Sequence, residues 1–320
     1  MAIELGDGVE RVSKNKFRLV TRADFDGIVS AMLLRELDLI DEIKFVHPKE
    51  MQDGDIHIDS NDITSNLPYV EGVYLCFDHH LSETLRVGEK DNHIIEADAP
   101  SAARVVYDYY GGDKTFPKIP EGLMDAVDQA DSAQYGQDDI LAPTDWTLLN
   151  FLLDPRTGLS RFKDFSISND QLMLDMIIYC RRHSVNEILE IPDVRERLEL
   201  FIEHDELAEF QLERCSTLQG ELVVVDLRGE EIIHPVNRFM IYALFPQADI
   251  SMHVQKGLND DMIEFAAGKS IINRTSGVSI GELMLEYGGG GHKGAGTCQV
   301  EKARADQVKA ELIKRITAKG

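Results

Sequence analysis

The first half of the chain alternates short apolar, β-rich runs with segments of helical periodicity. "KFRLV" (16–20) reads as a strand and "GIVSAMLLREL" (27–37) as a helix. The runs "IKFVH", "DIHID" and "GVYLCFD" read as further strands, each ending near acidic or turn residues. "SAARVVYDYY" (101–110) and "EGLMDAVDQA" (121–130) read as helices. This order predicts an α/β fold with a parallel sheet and helices on its faces. Such sheets bind ligands beyond the carboxyl ends of their strands. Asp24, Asp26, Asp59 and Asp78 all fall just past predicted strand ends.

From about 168 the pattern turns helical, and "DVRERLELFIEHDELAEFQLERCSTLQ" after Pro192 reads as one long charged amphipathic helix. A second α/β pattern follows, with "ELVVVDL", "ADISMHVQ" and "MIEFAAGK" as strands and "NRFMIYALF", "SIGELMLEYG" and the closing "KARADQVKAELIKRITA" as helices. The predicted organisation is an N-terminal parallel-sheet domain over 1–188, a helical linker over 189–219 and a smaller C-terminal α/β domain over 220–320. The cleft between the domains is the expected site. Oligomeric state is not encoded in this pattern, and a homodimer is compatible with it.

Charge narrows the partners. The net value is 33 − 57 = −24, which argues against wrapping long duplex DNA, where binding depends on neutralising phosphates. A short single-stranded oligonucleotide or a small phosphorylated nucleotide, held in a local basic pocket, remains compatible. The four cysteines show no paired spacing and read as reduced thiols. No signal peptide is read, and the longest clean apolar run, "FMIYALF", is too short to span a bilayer. The expected location is cytoplasmic, with no membrane partner.

The candidate chemistry sits in four acidic clusters: Asp24 and Asp26 in "TRADFDG", Asp59 in "DIHIDSND", Asp78 with His79 and His80 in "CFDHH", and Asp128 and Asp131 in "AVDQADSAQY". Carboxylates crowded at one sheet edge repel unless cations sit among them. A mixed carboxylate and imidazole set suits first-row metals such as manganese. The second half adds "YGGGGHKGAGT", in which Gly289, Gly290 and Gly291 precede His292 and Lys293. Backbone amides exposed by glycines can form an anion-binding nest. Lys269 and Arg274 in "GKSIINRTSG" lie in the same predicted domain.

Taken in order, "DFDG", "IDS", "FDHH", "ADSAQY" and "GGGGHKGAG" resemble the DHH phosphoesterase superfamily with its DHH-associated C-terminal substrate-binding domain, in the exopolyphosphatase-like and nanoRNase-like branch. The resemblance implies a manganese-dependent hydrolase of phosphodiester, phosphate or phosphoanhydride bonds. It implies Asp24, Asp26, Asp59 and His79 as metal ligands, with Asp131 preferred to Asp128 as the remaining one. It implies His80 as a phosphate-orienting residue and Asp78 as the group that fixes an imidazole tautomer. One departure stands out. Arg22 occupies a place where the family usually carries a His or Asp ligand, and arginine stays protonated and cannot ligate a cation. The first metal site is then remodelled, or Arg22 holds the scissile phosphate, or it neutralises the acidic cluster; His57 is a candidate substitute ligand. A nucleotide-binding protein with feeble catalysis and an exopolyphosphatase are the alternative readings.

Overall fold

A computed structural model describes residues 16–162, 164–257 and 261–318. Two compact units form: 16–132 with 173–184, and 133–172 with 185–318.

The first unit is built on five parallel strands, β1 (Phe17–Thr21), β2 (Ile40–Phe45), β3 (Asp62–Ser65), β4 (Leu75–Asp78) and β5 (His93–Ile95), in the order β2-β1-β3-β4-β5. The chain leaves β1 for one side of the sheet and returns to its other side. The crevice between the ends of β1 and β3 is therefore the topological switch point where α/β sheets place ligands. The helices α1 (Phe25–Glu36), α2 (Pro48–Asp53), α3 (Leu81–Val87), α4 (Ala102–Tyr109) and α5 (Leu123–Asp131) accompany this sheet, joined by most of the later helix Asn169–Arg182. Helix α1 is buried along nearly its whole length, from Phe25 to Leu34, because α4 and α5 pack on it. Its near-continuous apolar run is what such burial requires.

The strand expected at "DIHID" is not there. Parallel pairing sets Arg18 opposite Asp62 and Val20 opposite Thr64, so the strand is "DITS". Residues 59–62 instead form a turn: Asp59 Oδ1 accepts from Asn61 N at 2.7 Å, and Asp62 Oδ2 accepts from Asp59 N at 2.8 Å. The Arg18 guanidinium closes that turn on Asp62 at 2.7 and 2.9 Å.

The second unit holds a six-stranded mixed sheet of β6 (Ser216–Gln219), β7 (Leu222–Asp226), β8 (Ile250–Lys256), β9 (Met262–Lys269), β10 (Gly290–Gly291) and β11 (Ala295–Glu301). Only β7 and β8 pair in parallel. Its core joins Val224, Met252, Phe265 and Val300 to Leu283 and the C-terminal helix residues Val308 and Leu312. The predicted long helix exists but ends at Cys215; "STLQ" is the exposed edge strand β6. That helix belongs to the second unit, and so do residues 133–172. The division thus differs from the expected 1–188, 189–219 and 220–320. The cause is packing that links distant segments. Tyr135 and Phe151 meet Phe239 at ring distances of 5.6 and 6.3 Å, and Asn237 Nδ2 donates to Ile140 O at 3.1 Å.

Candidate metal and phosphate site

A three-residue connection between β1 and α1 puts Arg22 and Asp24 at the carboxyl end of the sheet. Asp24 is the N-cap of α1, its Oδ1 accepting from Gly27 N at 3.0 Å. Its Oδ2 meets Arg22 Nε at 3.0 Å. Gly27 is required here, because a Cβ at this position would stand 2.0 Å from Arg22 O.

Asp26, in the first turn of α1, is buried, and its carboxylate accepts from two backbone amides at the start of α4: Ala102 N at 3.1 Å and Ala103 N at 2.6 Å. Burial first, then the neighbouring charges of Asp131 and Asp24, push the Asp26 carboxyl well above its ordinary range. The start of α4 is itself held by Ser101, which accepts from Arg104 N and donates to Asp128 Oδ1 at 2.7 Å. Asp128 also takes the Arg104 guanidinium, with Nε at 2.8 Å. Asp128 therefore braces the helix end that clamps Asp26.

Strand β4 ends on Asp78, which is fully buried and whose Oδ1 accepts from His79 N at 2.8 Å and from His80 Nδ1 at 2.7 Å. His79 turns the other way. Its Nδ1 lies 3.0 Å from Ala99 O, a carbonyl that can only accept, so Nδ1 carries the proton. The tautomer of His79 is thus fixed by Ala99, while Asp78 serves His80. His79 Nε2 lies 2.8 Å from Asp131 Oδ2 without the alignment of a hydrogen bond. Burial favours neutral His79, but the Asp131 and Asp26 carboxylates outweigh it and raise its pKa to about 9. Burial likewise opposes ionisation of Asp131, yet the contact and charge of His79, with Arg22 behind it, hold that carboxyl below its ordinary range.

One ligand atom each from Asp26, His79 and Asp131 falls within 4.8 Å of the others. A buried and a half-buried carboxylate beside an imidazole fit a divalent first-row ion. Asp131 closes the last turn of α5, the negative end of the helix dipole, where a carboxylate is unfavourable without a cation. Asp78 Oδ2 is buried with no hydrogen-bond partner among the described residues, as are both polar atoms of the Asn66 side chain.

Asp59 and His57 do not reach this cluster. Both precede β3, at the amino end of the sheet, roughly 13 Å along the strand from its carboxyl end. Asp59 instead caps its own turn, and His57 Nε2 lies 3.6 Å from it at the exposed edge. The residue at the carboxyl end of β3 is Asn66, a buried side chain on a left-handed backbone with φ 56°. No acidic residue marked that position, so the sequence reading passed over it; a polar turn-former right after "DITS" was the available signal.

In the second unit the glycine run is a packed hairpin. A Cβ on Gly289 would lie 1.9 Å from Thr297 O, and one on Gly291 would lie 2.2 Å from Ala295 O. Several amides expected to face an anion are committed to the hairpin: Gly289 N donates to Met284 O and His292 N to Ala295 O. The His292 and Lys293 carbonyls accept from Gly281 N and Ile280 N, which pins the loop to the helix Ile280–Leu285. Lys269 Nζ donates to Ser276 O at 3.0 Å, and Arg274 donates to Ile271 O and Ala133 O at 2.9 and 3.0 Å. These two cations order loops within their own unit.

An acidic and imidazole cluster at the switch point of a parallel sheet, followed by a second α/β unit carrying a Gly-rich hairpin, defines a DHH phosphoesterase. The chain belongs to the DHH phosphoesterase superfamily. Among solved structures it is similar to PggH, a pGpG-specific phosphodiesterase from Vibrio cholerae, at 52% identity and a TM-score of 0.83 over 95% of this chain and 100% of that one. RecJ from Thermus thermophilus, solved with Mn2+, shares the fold at 13% identity and a TM-score of 0.53, over 95% of this chain and 52% of that one. CDC45 from Entamoeba histolytica does so at 10% identity and a TM-score of 0.55, over 95% and 96%. No family profile and no curated protein matches the chain. It is a hydrolase acting on phosphoester bonds. Among the described residues, no helix is long and apolar enough to cross a membrane.

Proposed function

We propose that this phosphoesterase hydrolyses short linear oligonucleotides of dinucleotide size with a divalent ion, manganese being the best fit. The similarity to a pGpG-specific phosphodiesterase across nearly the whole chain carries the substrate reading. The Asp26, His79 and Asp131 cluster supports the metal. When bound, such an ion supplies a water nucleophile at neutral pH and neutralises phosphoryl oxygens.

The protein groups divide the remaining work. Asp26, His79 and Asp131 hold the ion. Asp78 aligns His80, whose side chain is 32% exposed, to orient the substrate phosphate. Arg22 stands beside Asp24 and within the field of Asp131, so its cation offsets the carboxylates, and it is proposed to meet a phosphate oxygen. His292 and Lys293, at the tip of the glycine hairpin, are proposed to contact a further phosphate. The −24 charge disfavours long polyanions and leaves attraction to these local groups. A cytoplasmic location suits both the substrate and the thiol state of the cysteines.

The test is turnover with manganese on oligonucleotides of graded length, alongside cyclic dinucleotides, nucleotide bisphosphates and polyphosphate. The proposal expects the fastest cleavage at two nucleotides and a fall with length. Steadily rising rates, efficient cleavage of a circular strand, or preference for polyphosphate would overturn it. Nucleotide binding without turnover would identify a binding protein instead.

A further inference from the structure

The N-terminal unit contains a cavity that the metal cluster does not use. It lies at the opposite end of α1, about 15 Å along the helix from Asp26. Its volume is about 510 Å³, within the range of small-molecule sites. Met32, Leu33 and Phe116, all buried, line it, and Ile119 and Pro120 stand half-buried in its wall. The rim is cationic: Lys118, Arg181 and Arg182 line it against one carboxylate, Glu36.

Three cations thus line this opening in a chain of net charge −24. Arg181 is committed to Glu36. Lys118 and Arg182 have no acidic partner among the described residues, and both are exposed. The wall is preformed. Thr115 Oγ1 donates to Tyr110 O at 2.6 Å, Phe116 N donates to Gly112 O at 3.0 Å, and Pro117 and Pro120 fix their own φ angles. A rigid apolar wall beneath unpaired cations suits a ligand with a flat, weakly polar part and an anionic end. A guanidinium such as that of Arg182 can both stack on a base and bind phosphate.

We propose that this cavity is a second binding site, separate from the metal centre, for a nucleoside monophosphate. The base lies against the half-buried Ile119 and Pro120, and the phosphate meets Lys118 and Arg182. The inference rests on the cavity itself and not on the proposed activity.

Calorimetric titration of the full-length, manganese-loaded protein with AMP and GMP tests it. The expected result is a binding event that persists in His79→Ala and weakens at least tenfold in the double variant Lys118→Glu/Arg182→Glu. The double variant should keep its unfolding midpoint and its turnover without added nucleotide, since both side chains are exposed and distant from the cluster. Lys118→Ala/Arg182→Ala should weaken binding by a smaller factor. Binding that vanishes in His79→Ala, that ignores the charge reversals, or that inorganic phosphate reproduces with equal affinity overturns the proposal. Turnover of His79→Ala, measured separately, reports on the catalytic reading alone.

Discussion

Gly27→Ala sets two opposed effects against each other. Alanine in a helix is favoured over glycine by up to about 1 kcal/mol. Yet the new Cβ would lie 2.0 Å from Arg22 O, where ordinary contact begins at 3.4 Å, so the carbonyl must retreat by about 1.4 Å. The obstacle is backbone, which cannot swing aside as a side chain would. Overpacking of this kind costs about 1–3 kcal/mol or more. The clash therefore wins, and a net destabilisation of about 1–2 kcal/mol is expected. Arg22 and Asp24 sit on the displaced segment, and Asp26 follows within the same turn. Misplacing reacting groups by about 1 Å can lower turnover roughly 100-fold. Urea unfolding and manganese-dependent hydrolysis of a dinucleotide measure the two effects. Gly54→Ala is the control: φ is +78° there and nothing lies within 4 Å, so it should cost stability without touching turnover. A Gly27→Ala protein with wild-type midpoint and turnover would refute the close-approach argument.

Other variants probe separate parts of the site. His79→Ala is expected to abolish hydrolysis and manganese binding while the circular dichroism spectrum is retained; wild-type rates would remove it from the ligand set. Asp128→Ala releases Ser101 and Arg104 and loosens the α4 amides that hold Asp26, so manganese affinity, read by calorimetry, should fall about tenfold, within the range for residues supporting ligands. Stripping the ion should lower the thermal midpoint by an amount set by mass action, about 2.7 kcal/mol when free metal stood at 100 times its Kd; an unchanged midpoint argues against ion binding. Asp226 belongs to the second unit. The side-chain bonds from Arg228, opposed by burial and aided by Lys309, hold its carboxyl well below the carboxylate range. Its stabilisation is therefore present above an unfolded pKa of about 3.9 and lost as pH falls toward the folded value. Asp226→Asn should reduce the unfolding midpoint at pH 7 and converge on wild type in strong acid.

The Asp26, His79 and Asp131 cluster was partly legible, because Asp26 and His79 follow apolar runs that form buried strands. "LVT" and "LCF" are near-continuous apolar stretches, as parallel strands covered on both faces should be. The third strand was misread for the same physical reason. "DIHID" alternates more cleanly than "DITS", but alternation signals a half-exposed strand, and β3 is buried on every residue. Its Thr64 and Ser65 hide that burial from a hydropathy reading. Asp59 was placed at the wrong end of the sheet as a consequence, and Asn66 was missed. The unit division was likewise hidden, because it depends on Tyr135 and Phe151 finding Phe239, 104 and 88 residues later. The preference for Asp131 over Asp128 came from the motif; the structure adds what Asp128 does with Arg104 and Ser101.

Four consecutive glycines normally suggest a hinge. In this chain two of them, Gly289 and Gly291, mark places where backbone touches backbone. Gly281 packs on the Gly291 carbonyl and Gly289 on that of Thr297, so each missing methyl is occupied by a neighbouring peptide. A contact of that kind leaves a sequence no conservative exchange, since even alanine overlaps main-chain atoms that a rotamer change cannot clear. It also leaves His292 and Lys293 mounted on a stiff support, so their side chains present charge from a fixed base. Gly289 and Gly291 should then stay closed to change, while Gly290, with nothing within 4 Å of a Cβ, can accept one.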